Sequence, residues 1–203
     1  MRALTLTFAL ASTLFFVAAC VHQEANVESA AVKSYSFEET PAELASYRDQ
    51  AKGAFEAVGK RLIPRLTKAL NEGGPVEAVK VCREVAQPLT DEAGKEVGFA
   101  VGRTSHKLRN PANASPAWLQ SVVTESAGKK GADVKPLVFD LGDRVGVASP
   151  IVAIEMCLQC HGSDEQLKTE VKNVLAEQYP EDQARGFAAG DLRGWFWAEL
   201  PKK

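Results

Sequence analysis

The 203-residue sequence has no block of like charge: its 24 Lys and Arg and 26 Asp and Glu are spread along the chain and leave a formal net charge of −2. Without a basic run or stripe there is no electrostatic footprint for a polyanion, so no nucleic acid is expected as a partner. Histidine is scarce, at three residues, and cysteine stops at four. A second cysteine pair or a spaced histidine pair is missing, which argues against a closed four-ligand zinc site. No apolar run reaches the ~20 residues that a membrane-spanning helix needs, and no segment repeats. The length suits one globular domain with its own core rather than two.

The N-terminus differs from the rest. Arg2 precedes an uncharged stretch, Ala3 to Val17, rich in Leu, Phe and Ala, which reads as a secretory signal. Val17-Ala18-Ala19-Cys20 is similar to the lipobox of bacterial lipoproteins, so residues 1–19 are expected to be removed and Cys20 to carry the lipid. An ordinary cleavable signal with Cys20 discarded is the alternative, and both readings take the chain out of the cytoplasm. Residues 20–39 are polar and aperiodic and read as a flexible tether; the folded domain is expected over 40–203.

Within that domain, Thr40-Pro41-Ala42-Glu43 reads as a capping box with Thr40 as N-cap. Leu44, Tyr47, Ala51, Phe55, Val58, Leu62 and Leu66 then form a helical stripe to Asn71, with a bend at Pro64. Gly73-Gly74-Pro75 breaks the chain, and Val76, Val79, Cys82, Ala86 and Leu89 share a face of a second helix, which turns Cys82 toward the core. From Val97 to Arg103 the period becomes two, and Gly98, Ala100 and Gly102 make a nearly bare side on which a flat group or a close helix can lie. Arg109 to Pro116 is a loop, followed by a short helix through Trp118 and Val122. Strands are expected over Pro136 to Gly142, Val145 to Ile154 and Leu192 to Leu200, and Ser163-Asp164-Glu165-Gln166 reads as the capping box of a last helix ending at Pro180. The sum is an α+β fold: an antiparallel sheet of at least four strands flanked by helices.

Cys157-Leu158-Gln159-Cys160-His161 matches the C-x-x-C-H pattern of c-type haem attachment. Two thiols three apart on a turn can add to the haem vinyl groups as thioethers, and the adjoining histidine then falls beneath the iron. A redox-active dithiol is the competing reading, but such motifs open a helix after a strand in a βαβ setting, which this strand pattern does not resemble. One covalent haem c is therefore the expected cofactor. With Cys20 assigned to lipid and Cys157 and Cys160 to haem, Cys82 remains, either inert packing or a metal ligand. For the second axial position Met156 adjoins the motif too closely and His22 lies in the tether, which leaves Cys82 and His106. Arg83, Arg103, Lys107 and Arg109 are candidate partners for haem propionates. Trp118, Trp195, Phe196 and Trp197 read as packing rather than haem stacking.

Four segments in order, Ala78 to Arg83, Gly102 to Asn113, Cys157 to His161, and Gly190-Asp191-Leu192-Arg193-Gly194, resemble a bacterial family of c-type haem domains with a PAS-like fold, known as a domain of unknown function and found alone or in membrane receptors. The resemblance covers about Glu43 to Leu200. It implies a PAS-like sheet, a haem held by His161 on one face and by the Cys82 thiolate on the other, and an Arg109-Asn110-Pro111 loop against the haem. The place of His106 is more usually apolar in that family, so His106 stays open as an alternative ligand. A thiolate donor implies a low reduction potential. Three roles follow: a redox- or gas-responsive sensory module, a periplasmic electron carrier, or an enzyme of sulfur oxidation with His106 and Lys107 at the substrate. No catalytic constellation beyond the haem is visible, so an enzyme is the least favoured. The expected location is the periplasmic side of a bacterial membrane, lipid-anchored, with a redox or signalling protein as partner.

Overall fold

A computed structural model of the chain describes residues 32–203. The signal segment, Cys20, His22 and most of the expected tether lie outside the described residues. Where the tether was expected to continue, Lys33–Ser36 forms a strand, β1, at the edge of the sheet, paired antiparallel with Leu137–Asp140. A tether reading to residue 39 is thus corrected: alternation over four residues is too short to register as a strand until a partner edge supplies the hydrogen bonds.

Helix α1, Ala42–Val97, breaks at Gly74, whose φ of 70° and ψ of −171° only a residue without Cβ adopts freely. Residues on either side fold back on each other, so that Arg61 reaches Glu92 and Glu96. The backbone keeps helical dihedrals through Pro64, so the chain does not break there. Nor is Thr40 the N-cap. Its hydroxyl donates to the Ser36 carbonyl at 3.0 Å, and Pro41 takes the cap position without a side-chain bond. The second half also outruns its expected end, because Gly98 at φ 76° caps it in the left-handed conformation, its N–H donating to Gly94. Strand β2 accordingly starts later, at Ala100–Thr104. Among the described residues no helix is long and apolar enough to cross a membrane.

The sheet has five antiparallel strands in the order β1-β3-β4-β5-β2, with β3 at Leu137–Asp140, β4 at Arg144–Val152 and β5 at Leu192–Pro201. The expected hairpin is there, turning at Gly142 with its N–H on the Asp140 carboxylate. All four expected strands form, and the α+β fold with the closing strand inside the sheet is consistent with the PAS-like expectation.

Alternation along β5 decides what each face buries. Phe196, Ala198 and Leu200 join Val101, Val145 and Val147 against Leu44, Ala51, Phe55 and Val58 of α1. Trp195 and Trp197 face the other way, onto Leu119, Val123 and Phe139, beside α2 (Gln120–Glu125). The bare side of β2 is filled by protein: the Trp197 indole lies where a Cβ on Gly102 would stand. All four aromatic residues pack as expected, with Phe196 stacked on Phe55 at 5.4 Å and the Trp118 Nε1–H on Glu199 at 2.6 Å.

Strand β4 stops at Val152 and the chain enters α3, Glu155–His161, so the cysteines sit on one short helix rather than on a turn. Gln166 accepts from the Ser163 N–H at 2.9 Å, which is half of the expected capping box, but α4 begins only at Thr169 and runs to Gln178. Its apolar side, Val171, Val174 and Leu175, packs on Val79 of α1.

Candidate functional site

The motif helix is wedged between two small apolar clusters. Cys160 packs with Val76, Val79 and Leu175, its thiol directed to the Pro75 carbonyl at 3.8 Å. Cys157 and Leu158 pack with Ala153, Ala184 and Phe187. Burial pushes the Cys160 thiol up to about 11. No disulfide joins the three described cysteines. The sheet beside α3 is antiparallel, which is not the βαβ setting of a dithiol oxidoreductase.

His161 ends the helix, half-buried. Its Nδ1 lies 2.8 Å from the Ala184 carbonyl. Burial, and then the charges of Arg193 and Arg109, hold the imidazole well below its ordinary value and outweigh the opposing bond to Ala184. The ring is therefore neutral, with the Nδ1 proton on Ala184 and Nε2 left as the free lone pair.

Two adjoining cavities meet at this ring. One, of about 190 Å³, is lined by Cys157, His161, Arg103, Arg109, Asn113, Ile151 and Arg193. The other, of about 130 Å³, is lined by Cys82, His161, Arg83, Gln87, Asn110, Tyr179 and the same Arg103, Arg109, Asn113 and Arg193. Cys82, 79 positions earlier than His161 in the chain, thus shares a cavity with it. Burial raises the Cys82 thiol, and the Arg103 and Arg109 charges work against that rise.

The electrostatics of these walls are lopsided. Arg103, Arg109 and Arg193 converge, and the acid among them, Asp182, is taken by Arg109 at 3.1 Å. Burial, then Arg109 and Arg103, lower Arg193 to about 9, and burial lowers Arg103. The Nε atoms of Arg103 and Arg193 are buried without a hydrogen-bond partner. Buried donors of this kind are rare unless something else satisfies them.

Several expected site residues take other roles. Arg109 is spent on Asp182 and on the carbonyls of Cys160, at 2.5 Å, and Ala184, at 3.2 Å, so it is a latch inside the protein rather than a free propionate partner. Lys107 donates to the Arg185 carbonyl and lies over the Phe187 ring. Arg83 lies over Tyr179. Asn110 caps a short turn by accepting from the Ala112 N–H while lining the Cys82 cavity; Pro111, exposed, opens that turn and lines neither. His106 lines neither cavity. Phe187 is edge-on to both histidines, with ring centroids 5.7 Å from His106 and 6.3 Å from His161. Met156 faces Thr67 of α1.

Arg193, Asp182 and Ala184 were not singled out from sequence as site residues. Arg193 stood inside the Gly190 to Gly194 segment, and its place in a strand beside the motif was the available signal. Asp182 and Ala184 carry no signal, because the Asp182 carboxylate and the Ala184 carbonyl meet Arg109 and His161 only on folding. Among the described residues no three His, Cys, Asp or Glu side chains converge as a closed metal site requires.

No curated protein sequence matches the chain. Among solved structures it is similar to the crystal structure of the cyanobacterial heme-protein Tll0287, with a TM-score of 0.57 and 23% identity over 81% of this chain and 98% of that one. The sequence pattern of the Tll0287-like family matches residues 18–201, nearly the whole length, and the chain belongs to that family.

Proposed function

We propose that the chain is an exported protein, anchored by a lipid on Cys20 at the periplasmic side of a bacterial membrane, that carries one haem c. Cys157 and Cys160 would hold it covalently, and His161 and Cys82 would bind its iron. Its role is that of a low-potential module responsive to redox state or to a small gas, read out by a periplasmic redox or signalling partner. The observation that carries this reading is the meeting of Cys82 and His161 on one cavity whose walls hold buried guanidinium groups without anionic partners. The solved structure it resembles is described as a heme-protein.

The residues present fit such a group. A haem brings two carboxylates, and Arg103 and Arg193 present buried Nε–H donors that lack an acceptor. When bound, it supplies a one-electron couple that a thiolate ligand draws toward low potential. The chain's own contribution is orientation and charge. The Ala184 carbonyl favours the His161 tautomer protonated on Nδ1, which would leave Nε2 to bind the iron. Arg103 and Arg109 favour the anionic form of Cys82, which burial alone opposes. Cys157 and Cys160 form no disulfide and stand on one turn of helix, as thioether formation would need.

Expression with a bacterial haem-maturation system tests this. The expected product is red, with the mass of one added haem and the pyridine haemochrome spectrum of a two-thioether haem. A colourless protein of unmodified mass would overturn the reading. Reduction and CO uptake then separate the roles: CO binding to the ferrous form supports the responsive module, rapid electron exchange without CO uptake makes it a carrier, and turnover of thiosulfate with an acceptor makes it an enzyme.

A further inference from the structure

We infer that Arg109 is a positioning residue that sets the donor strength of His161 through the carbonyl of Ala184, an inference that rests on the haem reading above. The Ala184 oxygen accepts twice: from the His161 Nδ1–H at 2.8 Å and from the Arg109 Nη2–H at 3.2 Å. Ala184 is fully buried, so water does not compete for either lone pair. The arrangement is held from every side. Arg109 Nε and Nη2 grip Asp182 at 3.1 and 3.4 Å, the Asp182 Oδ1 accepts from the Ala184 N–H at 2.9 Å, and Arg109 Nη2 also reaches the Cys160 carbonyl, one residue before His161.

A carbonyl that already serves a guanidinium has less electron density to offer a second donor. The bond to His161 Nδ1 is weakened accordingly, the ring keeps less imidazolate character, and Nε2 is a poorer donor. Arg109 thus opposes the Cys82 thiolate: one ligand lowers the reduction potential, and the latch behind the other raises it. The segment does not depend on Arg109 for its place, since the Gly186 N–H donates to Gly162 and the Phe187 N–H to His161 at 2.9 and 3.0 Å. Removing the guanidinium should leave the Ala184 carbonyl beneath the ring.

The test uses the haem-loaded protein and the variants Arg109→Gln and Arg109→Lys, the second keeping the charge but not the forked donor. Intact mass first establishes that each carries haem. The expected result is a lower midpoint potential in both, of about tenfold in the one-electron equilibrium, or about 59 mV. It should come with a higher iron–imidazole stretching frequency by resonance Raman in a ferrous Cys82→Ala background. If the frequency stays at its parent value in both while the potential falls only in Arg109→Gln, Arg109 acts through its charge alone and the relay is wrong. Should Arg109→Gln fail to mature, Arg109→Lys decides by the same readouts. Loss of haem from both variants also overturns the inference, because a residue required for assembly is not a tuner. A wild-type chain without haem would instead sink the underlying reading.

Discussion

Arg109 and Asp182 form a forked ion pair at the back of the motif helix, with Nε on Oδ1 at 3.1 Å and side chains only 12% and 1% exposed. Burial alone would raise the Asp182 carboxyl. The Arg109 charge and hydrogen bond, the Ala184 N–H and Arg185 outweigh it, and the net result lies below the ordinary value. A carboxyl lowered by folding stabilises the native state above the unfolded value of about 3.9, and that contribution is lost as pH falls through the lower folded value. Asp182→Asn should therefore cost about 3 kcal/mol near neutrality, since it leaves Arg109 buried without its partner. The variant should also lose less stability than the parent between pH 5 and pH 3. Urea denaturation across that range measures both effects.

Two glycines should respond to the same change in opposite directions. A Cβ on Gly102 would stand inside the Trp197 indole, which is confined by the aromatic layer beneath the sheet. Gly102→Ala should destabilise by about 2 kcal/mol. Gly53 lies on the exposed side of α1 with nothing within 4 Å of such an atom, so Gly53→Ala should stabilise by about 0.5–1 kcal/mol. Thermal unfolding of the two variants beside the parent checks the contrast.

Gly102 also shows what the sequence can and cannot tell. The period of two over Val97 to Arg103 is a local property and reveals a bare strand face. What fills that face is decided by the register of β5 against β2, which places Trp197 opposite Gly102. The site divides in the same way. The Cys157 to His161 motif and the lone Cys82 are visible because their residue types are rare and their spacing is chemical. Arg109 is visible as a cation, but its partner Asp182 is one of 26 acids, and nothing in the order of residues marks it out. Thr40 does not cap the helix because Pro41 holds the cap position one residue later, and the Thr40 hydroxyl donates instead to the Ser36 carbonyl.

Arg193 should stabilise one form of the protein at the expense of the other. Its guanidinium lies over Phe187 with an unpartnered Nε, and burial with two neighbouring arginines lowers its affinity for a proton. In the haem-free chain only the Lys107 carbonyl, at 3.4 Å, and the Phe187 ring offset this cost, so Arg193→Met should stabilise that form by about 1 kcal/mol. In the haem-loaded chain an anionic propionate would offset the charge, and the same substitution should lower stability and the yield of loaded protein. Denaturant unfolding of both forms tests the sign reversal. Equal effects on both would mean that Arg193 does not face the haem carboxylates.

The choice between Cys82 and His106 as second axial ligand turns on Phe187. This ring stands edge-on to both histidines, and His106 lines neither cavity that His161 lines, whereas Cys82 does. If His106 displaced Phe187 from the cluster it forms with Ala153 and Ala184, exposing that buried aromatic side chain would cost about 1.5–3 kcal/mol. Cys82 lines a cavity with His161 in whose walls Phe187 has no part. Cys82→Ser should therefore move the ferric absorption bands and raise the midpoint potential, because an anionic sulfur donor is replaced by a weaker neutral oxygen. His106→Ala should leave both unchanged. The reverse pattern, with a silent Cys82→Ser and a shifted His106→Ala, would mean that Phe187 swings away when haem is attached. A crystal structure of the loaded protein would then find that ring displaced from Ala184.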